Sequence, residues 1–146
     1  MRAAFTRLRE RTAEDDEGSI LILTLGYAVL AIAVILVCVD ATSLYLAQKR
    51  LDALADAAAL AGADGFVLVA ESGEPRAELT DEGIREQVDA LVGDVGGGAA
   101  VVDAGTPDGV SARVTVAHSW RPPIIALFVP DGVELEATAT SRTALR

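Results

Sequence analysis

The chain has 146 residues, of which 51% are hydrophobic, and a formal net charge of −10. This length suits one small domain in addition to any membrane segment. Twelve Lys and Arg residues face 22 Asp and Glu residues, so the chain lacks the clustered basic surface that binds a nucleic acid backbone. Its single cysteine, Cys38, and single histidine, His118, exclude an internal disulfide and a Cys/His zinc site. We therefore expect no nucleic acid partner, no metal site and no other cofactor.

Residues 20–39 form an apolar segment without a charge. A helix of this length, at about 1.5 Å per residue, spans roughly the 30 Å hydrocarbon thickness of a bilayer. A buried soluble helix this long would carry a polar stripe, so we predict a single transmembrane helix. Four arginines precede the segment, whereas only Lys49 and Arg50 follow it closely. The positive-inside rule then places the N-terminus in the cytoplasm and the C-terminal part outside.

The apolar segment has three possible forms of processing: cleavage as a signal peptide, cleavage as a prepilin, or no cleavage. A secretory signal peptide would be cut at a site such as Val39-Asp40-Ala41, although the apolar segment is longer than in a typical signal peptide. Cys38 lacks the small preceding residue that lipoprotein processing requires, and we interpret it as an apolar side chain facing lipid. The Gly18-Ser19 bond follows a charged leader and precedes an apolar run, which resembles a prepilin-type cut site, although Leu23 stands where pilins carry Glu. An uncut chain would remain a single-pass membrane protein.

The helical pattern continues beyond the apolar segment. Residues 41–61 are rich in strong helix formers and contain no Gly or Pro. Apolar residues spaced three or four apart form what we call the apolar seam: Leu44, Ala47, Leu51, Leu54, Ala58 and Ala61. Such spacing is typical of a packed or coiled helix. We predict that this seam packs against another subunit or a second copy of the chain.

Two of the acidic residues in this helix, Asp40 and Asp56, are candidate functional positions. Asp40 lies where the helix leaves the lipid, and we interpret it as marking the membrane edge. Asp56 has two interpretations. It is either a solvated polar position, or it selects register or partner on a small-residue face that permits close helix approach. That face consists of Ala55, Ala57, Ala58, Ala59 and Ala61.

The order and spacing of these features resemble the N-terminal segment of Tad-type (Flp) pilus-assembly proteins, the TadE/TadG-like group. The features are Gly18-Ser19 before the apolar span, Val39-Asp40, Tyr45-Leu46, Lys49-Arg50-Leu51 and the ADAAALA of residues 55–61. The resemblance covers roughly residues 18–63. It implies a membrane-resident or minor-pilin-like component of a bacterial pilus or secretion apparatus, with other subunits as partners. Leu23 in place of Glu favours the TadG-related branch.

The remaining residues, 63–146, are predicted to form a small extracytoplasmic domain. Residues 62–75 read as a connector in which 66–70 are either a short strand or the end of the first helix. A capping residue, Thr80 or Asp81, begins a second helix over residues 81–92. Gly93 is expected to end this helix, and Gly96-Gly97-Gly98 forms a turn. Strands are predicted over residues 99–103, 109–118 and 133–143. Their alternating apolar residues favour an antiparallel sheet with one face on the helix and the other in water.

The segment before the last strand has two interpretations. Pro122 and Pro123 exclude a regular strand or helix interior there. Its apolar residues either cap the small core or form an exposed docking surface, in which Trp120 and Phe128 would be the contacts to a partner. His118 is interpreted as a strand-end histidine.

The sequence as a whole predicts an α+β fold organised in three parts. Residues 1–18 form a cytoplasmic leader, residues 19–62 a transmembrane helix with an extracytoplasmic extension, and residues 63–146 one helix packed on about three to four antiparallel strands, as in a pseudopilin. We expect a non-enzymatic component of a Tad/Flp-type pilus or secretion apparatus. The alternative is a membrane-anchored binding domain unrelated to pili. An envelope enzyme is disfavoured because no residues group into a recognisable catalytic pattern.

Overall fold

The computed structural model describes residues 2–71, 74–124, 126 and 130–142, with side chains from residue 19 onward except at 70–77. Its elements in chain order are α1 (Arg2–Asp64), β1 (Val67–Glu71), β2 (Glu74–Glu78), α2 (Asp81–Val95), β3 (Ala100–Gly105), β4 (Ser111–Trp120) and β5 (Val133–Arg142). This order confirms the predicted α+β class, with a long N-terminal helix, a second helix and a three-stranded antiparallel sheet. The chain divides into two compact units, Met1–Ala41 and Thr42–Arg146.

The first unit consists of α1 residues. From Ser19 onward the helix is long and apolar enough, by length and composition, to cross a membrane, with a window of mean hydropathy 2.9. Its large apolar side chains are exposed along residues 20–39, as lipid contact requires. The Thr24 hydroxyl donates to the Ile20 carbonyl at 2.8 Å, so this polar group is satisfied within the helix itself.

The second unit is built around strand β4. The sheet order is β3-β4-β5 and both pairings are antiparallel. Ala112, Val114 and Val116 alternate along β4 and are completely buried, which confirms the predicted inward face. The opposite face of β4 is less open to water than predicted, because Thr115 and Ala117 are also buried. Thr115 and Thr138 share a hydrogen bond between their hydroxyls at 2.9 Å on that face.

Both helices contribute to the core of this unit. Gly62 of α1 lies so close to its neighbours that a Cβ there would meet Ile84 Cγ2 at 2.9 Å, and Ala112 Cβ and Val88 Cγ2 at 3.3 Å. The buried apolar core residues are Leu51, Ala55, Ala58, Ala59, Ala63, Leu79, Ile84, Val88, Val92, Ala104, Ala112, Val114, Val116, Leu135 and Ala137. The second half of α1 is therefore part of the folded domain, whereas the sequence placed the domain boundary after residue 62.

Within the connector predicted over residues 62–75, the structure shows the short-strand alternative for residues 66–70, because β1 spans Val67–Glu71. The first residues of the connector finish α1, and β1 and β2 then pair as an antiparallel hairpin with Val67 opposite Glu78. Strand β2 was not predicted, because its five residues, EPRAE, carry no apolar alternation.

Helix α2 begins as predicted but ends later. Its N-cap is Thr80, whose hydroxyl accepts from the Gly83 amide at 3.2 Å. The predicted stop at Gly93 is wrong, because this glycine stays within a regular helix that runs to Val95. The chain turns instead at Gly97 and Gly98, whose φ angles of 57° and 94° suit glycine.

The turn between β3 and β4 is organised by Asp108. Its carboxylate accepts from the backbone amides of Val110 at 3.1 Å and Ser111 at 2.7 Å, and from the Ser111 hydroxyl at 2.9 Å. Arg142 approaches the same carboxylate at 3.9 Å. The bonds from the Val110 and Ser111 groups, with the charge of Arg142, hold the pKa of Asp108 below its ordinary value.

Replacing Gly62 by Val is expected to destabilise the second unit by about 1–3 kcal/mol, because the added methyl groups overlap stiff, buried neighbours. The matched control is Gly93→Val, since nothing lies within 4 Å of a Cβ at Gly93; there we expect a change within about 0.5 kcal/mol. Thermal unfolding of the full chain in detergent, followed by circular dichroism, measures both. Equal melting temperatures for the two variants would contradict the close packing of α1 on α2 and β4.

Asp108→Asn is expected to make stability less dependent on acid. Because folding lowers the pKa of Asp108, its contribution is fully present above the ordinary value of 3.8 and is lost as the pH falls through the lower folded value. The melting temperatures of the original chain and the variant should therefore differ most near neutral pH and converge at acidic pH. A difference that grows towards low pH would show that the sign is wrong.

Candidate interaction surface

The apolar seam of α1 is occupied by the chain's own domain. Leu51 and Ala58 are 4% and 0% exposed. Leu44, Ala47 and Leu54 are half-buried and pack against the same core. Ala61 is half-buried. A neighbouring subunit would therefore have to contact α1 through a different face.

The small-residue face around Asp56 is split by this packing. Ala55, Ala58 and Ala59 are buried in the core, where their small size allows α1 to approach the sheet closely. Asp56 and Ala57 are exposed. Asp56 therefore lies on the side of the helix that faces away from the domain.

Two hydrogen bonds attach the start of this helical segment to the sheet. The indole Nε1 of Trp120 donates to the Ser43 hydroxyl at 3.2 Å. Gln48 Nε2 donates to the Glu136 carbonyl at 3.1 Å and to the Asp52 carboxylate at 3.0 Å. Since Glu136 belongs to the edge strand β5, Gln48 also covers one carbonyl of that edge.

Trp120 therefore contributes to the packing of the chain's own domain. Its ring is half-buried and packs against the core, whereas the docking interpretation required it to be an exposed contact. Pro122 is fully buried, whereas Ile124 is 37% exposed. Phe128, the other residue predicted to contact a partner, lies outside the described residues.

The face of α1 opposite the apolar seam carries a second regular pattern, which we call the outer stripe: Leu46, Lys49, Ala53, Asp56 and Leu60. Its members are spaced 3, 4, 3 and 4 residues apart and all are exposed, with Leu46 at 47% and Leu60 at 58%. A 3-4 spacing keeps residues on one line of a helix. The sequence alone did not reveal the outer stripe, because its two charged members are typical of an ordinary solvent-exposed helix face.

The charges near the stripe are held in place on the helix itself. Lys49 Nζ lies 3.2 Å from Asp52 Oδ2 and 6.0 Å from the centre of the Tyr45 ring. Hydrogen bonds from Gln48 and Lys49 lower the pKa of Asp52, and the bond to Asp52 raises the pKa of Lys49. Lys49 is therefore a positive charge at neutral pH, seven residues before the negative charge of Asp56.

Cavities also lie between described residues of the second unit. An open one of about 540 Å³ is lined by Asp81, Arg85, Asp103 and Arg113, among others. There Asp81 Oδ1 accepts from the Thr106 amide at 2.7 Å, which ties the start of α2 to the end of β3. A second cavity of about 380 Å³ lies between Arg50, Leu54 and His118, among others. Neither cavity brings together an arrangement typical of catalysis.

No group of three or more His, Cys, Asp and Glu side chains that could hold a metal ion occurs among the residues that the structure describes. His118, which lies within β4, has a buried Nδ1 without a hydrogen-bond partner.

The remaining predicted residues lie along α1. The Gly18-Ser19 bond is inside the helix, Asp40 is only 8% exposed, and Tyr45 is 61% exposed.

Ser43→Ala is expected to cost about 1 kcal/mol of stability, because the half-buried Trp120 N–H loses its acceptor. Trp120 is the single tryptophan, so its fluorescence spectrum and its quenching by acrylamide report directly on this contact. We expect greater quenching in Ser43→Ala and recovery in Ser43→Thr, which keeps the hydroxyl. Quenching of the original chain at the level of free tryptophan would contradict the docked position of Trp120.

Comparison with known protein families gave a match that covers most of the described apolar and packed part of α1. Residues 18–65 match the family model described as putative Flp pilus-assembly TadE/G-like. Comparisons with curated proteins and with solved structures gave no match. Together with the apolar helix, the family match supports a pilus-assembly membrane component. The match over residues 18–65 agrees with the resemblance to this family that the sequence showed over roughly residues 18–63.

Proposed function

We propose that the chain is a non-enzymatic, single-pass membrane component of a Tad/Flp-type pilus assembly or secretion apparatus. The observation that carries this proposal is the position of the family match. Residues 18–65 contain both the apolar stretch and the helical residues that pack on the sheet. The matched segment therefore combines a membrane anchor with the support of an outer domain.

The proposed orientation follows from charge. Four arginines precede the apolar segment, and residues 40–146 contain 17 acidic and 8 basic residues. Basic residues are retained on the cytoplasmic side of a membrane, which places the N-terminus in the cytoplasm and the second unit outside. The same charge balance disfavours binding of the outer unit to anionic lipid headgroups, so lipid contact is confined to the apolar span.

The outer unit provides a rigid attachment for other subunits. Core packing and the bonds from Trp120 and Gln48 fix the outer half of α1 to the sheet. A subunit that binds the exposed side of this helix therefore binds the whole domain. This geometry fits a component that positions other pilus or secretion subunits and performs no chemistry itself.

Deletion of the gene in the native bacterium is expected to abolish surface pili while the major pilin is still synthesised, and expression of the full chain should restore them. Electron microscopy and immunoblotting of sheared surface fractions measure the outcome. Normal piliation in the deletion strain would contradict the proposed role and favour a membrane-anchored binding domain unrelated to pili.

Orientation is tested separately by thiol labelling of intact cells, with Cys38 replaced by Ser. A membrane-impermeant maleimide should label Glu86→Cys in intact cells but Ala3→Cys only after lysis. The reverse pattern would show the opposite orientation. Intact mass of the extracted protein distinguishes loss of residues 1–18, loss of residues 1–41 and no cleavage.

A further inference from the structure

The two-stranded sheet formed by β1 and β2 has two different edges, and the structure describes no third strand in it. The free edge of β2 belongs to the residues EPRAE, in which a proline lacks the backbone N–H and three residues are charged. Both features protect an edge strand against further pairing. Strand β1 has the residues VLVAE, and its first four carry neither a charge nor a proline. The edge of this hairpin that is open to another strand is therefore that of β1.

The apolar side chains of β1 are exposed on both faces of the hairpin. Val67 and Val69 share one face, and Leu68 lies on the other, because successive side chains of a strand alternate. A hairpin of two strands alone is marginally stable in water, since it buries little apolar surface. An added strand would supply both backbone hydrogen bonds and apolar contact.

The sequence of β1 is complementary to an antiparallel copy of itself. Antiparallel pairing centred on Leu68 places this residue opposite Leu68 of the second copy and places Val67 opposite its Val69, so the central contacts are all apolar. Glu71 then lies opposite Gly65 of the second copy, at the end of the contact. An in-register parallel pair would instead bring Glu71 beside Glu71, and like charges in neighbouring strands are destabilising.

We propose that two copies of this chain pair antiparallel through β1, which joins their hairpins into one four-stranded sheet in the order β2-β1-β1-β2. The same patch serves both copies, so the interface is isologous and closes as a dimer. The inference rests on the membrane anchor of the proposed function. A twofold axis along the membrane normal, crossed by the two strands, keeps both spans at the same depth in the bilayer.

The short length of β1 makes the membrane part of this mechanism. A contact of five residues per strand buries less surface than a stable interface between free proteins. Two copies anchored in one membrane meet at a raised effective concentration, which compensates for a weak contact. The pairing is therefore tested in membranes and with the full chain.

Disulfide cross-linking tests the direction and register of the strands. With Cys38 replaced by Ser, Leu68→Cys should give a covalent dimer on oxidation, because the Cα atoms of directly opposite residues lie about 4.5–5.5 Å apart. Two differently tagged copies, one with Val67→Cys and the other with Val69→Cys, should give a product with both tags, whereas either variant alone should give little dimer. The matched control is Val102→Cys, at an exposed apolar residue of β3, which should not cross-link.

Two results would overturn the inference. Dimers of Val67→Cys alone and of Val69→Cys alone, with no product between the two positions, would show parallel strands. Absence of a Leu68→Cys dimer, while the chain remains in the membrane and piliation is normal, would show that copies do not meet through β1. The proposed function would stand in that case. Conversely, a Leu68→Cys dimer together with normal piliation after gene deletion would support the pairing and contradict the function.

A lysine substitution tests the contact independently of the disulfide at its centre. Leu68→Lys should lower the yield of the product between Val67→Cys and Val69→Cys about tenfold, because two like charges would face each other. Val102→Lys makes the same change at a residue of similar exposure, 58% against 62% for Leu68, and should leave the yield unchanged. Equal yields with the two lysine variants would contradict the pairing. Circular dichroism confirms that each variant keeps its helices.

Discussion

The structure of the second unit depends on the close approach of α1 to α2 and β4. This approach is possible because the contacting side of α1 carries Gly62 and small alanines such as Ala58, both fully enclosed by neighbouring atoms. Apolar contact of this kind is strong only where atoms fit closely. The second half of α1 is therefore part of the globular core of this unit, held there by packing along several turns.

The sequence was sufficient for features that depend on local pattern. Alternation along β4 identified Ala112, Val114 and Val116 as the inward face, and Thr80 was recognised as a helix cap. The apolar run likewise predicted a helix long enough to cross a membrane. The order of the motifs gave the resemblance to the Tad-type family, with which the family match agrees. In each case a short-range rule of period or capping determines the outcome, and little depends on distant residues.

Features decided by long-range contacts were not accessible in the same way. The seam containing Leu51 and Ala58 was predicted to pack against another subunit, but it packs in the core of the chain's own domain. Periodicity alone does not reveal which of these partners covers an apolar seam. Strand β2 lacks alternation and is recognisable only through its pairing with β1. Gly93 appeared to end a helix, yet a glycine is tolerated within a helix at a modest cost, and the left-handed turn occurs later, at Gly97 and Gly98.

The two sides of α1 have different physical roles. The apolar seam is packed in the core, and the charges on the exposed side influence association with other copies or subunits. Residues 40–146 have nine more acidic than basic residues, so copies of the outer unit repel one another at distances shorter than the Debye length. Association therefore requires a short-range contact where this repulsion is locally reversed. Of the eight basic residues in that part of the chain, Lys49 and Arg50 lie on the exposed side of α1. These basic residues lie beside exposed apolar residues such as Leu46, so a partner can contact this side of α1 while the packed seam stays closed.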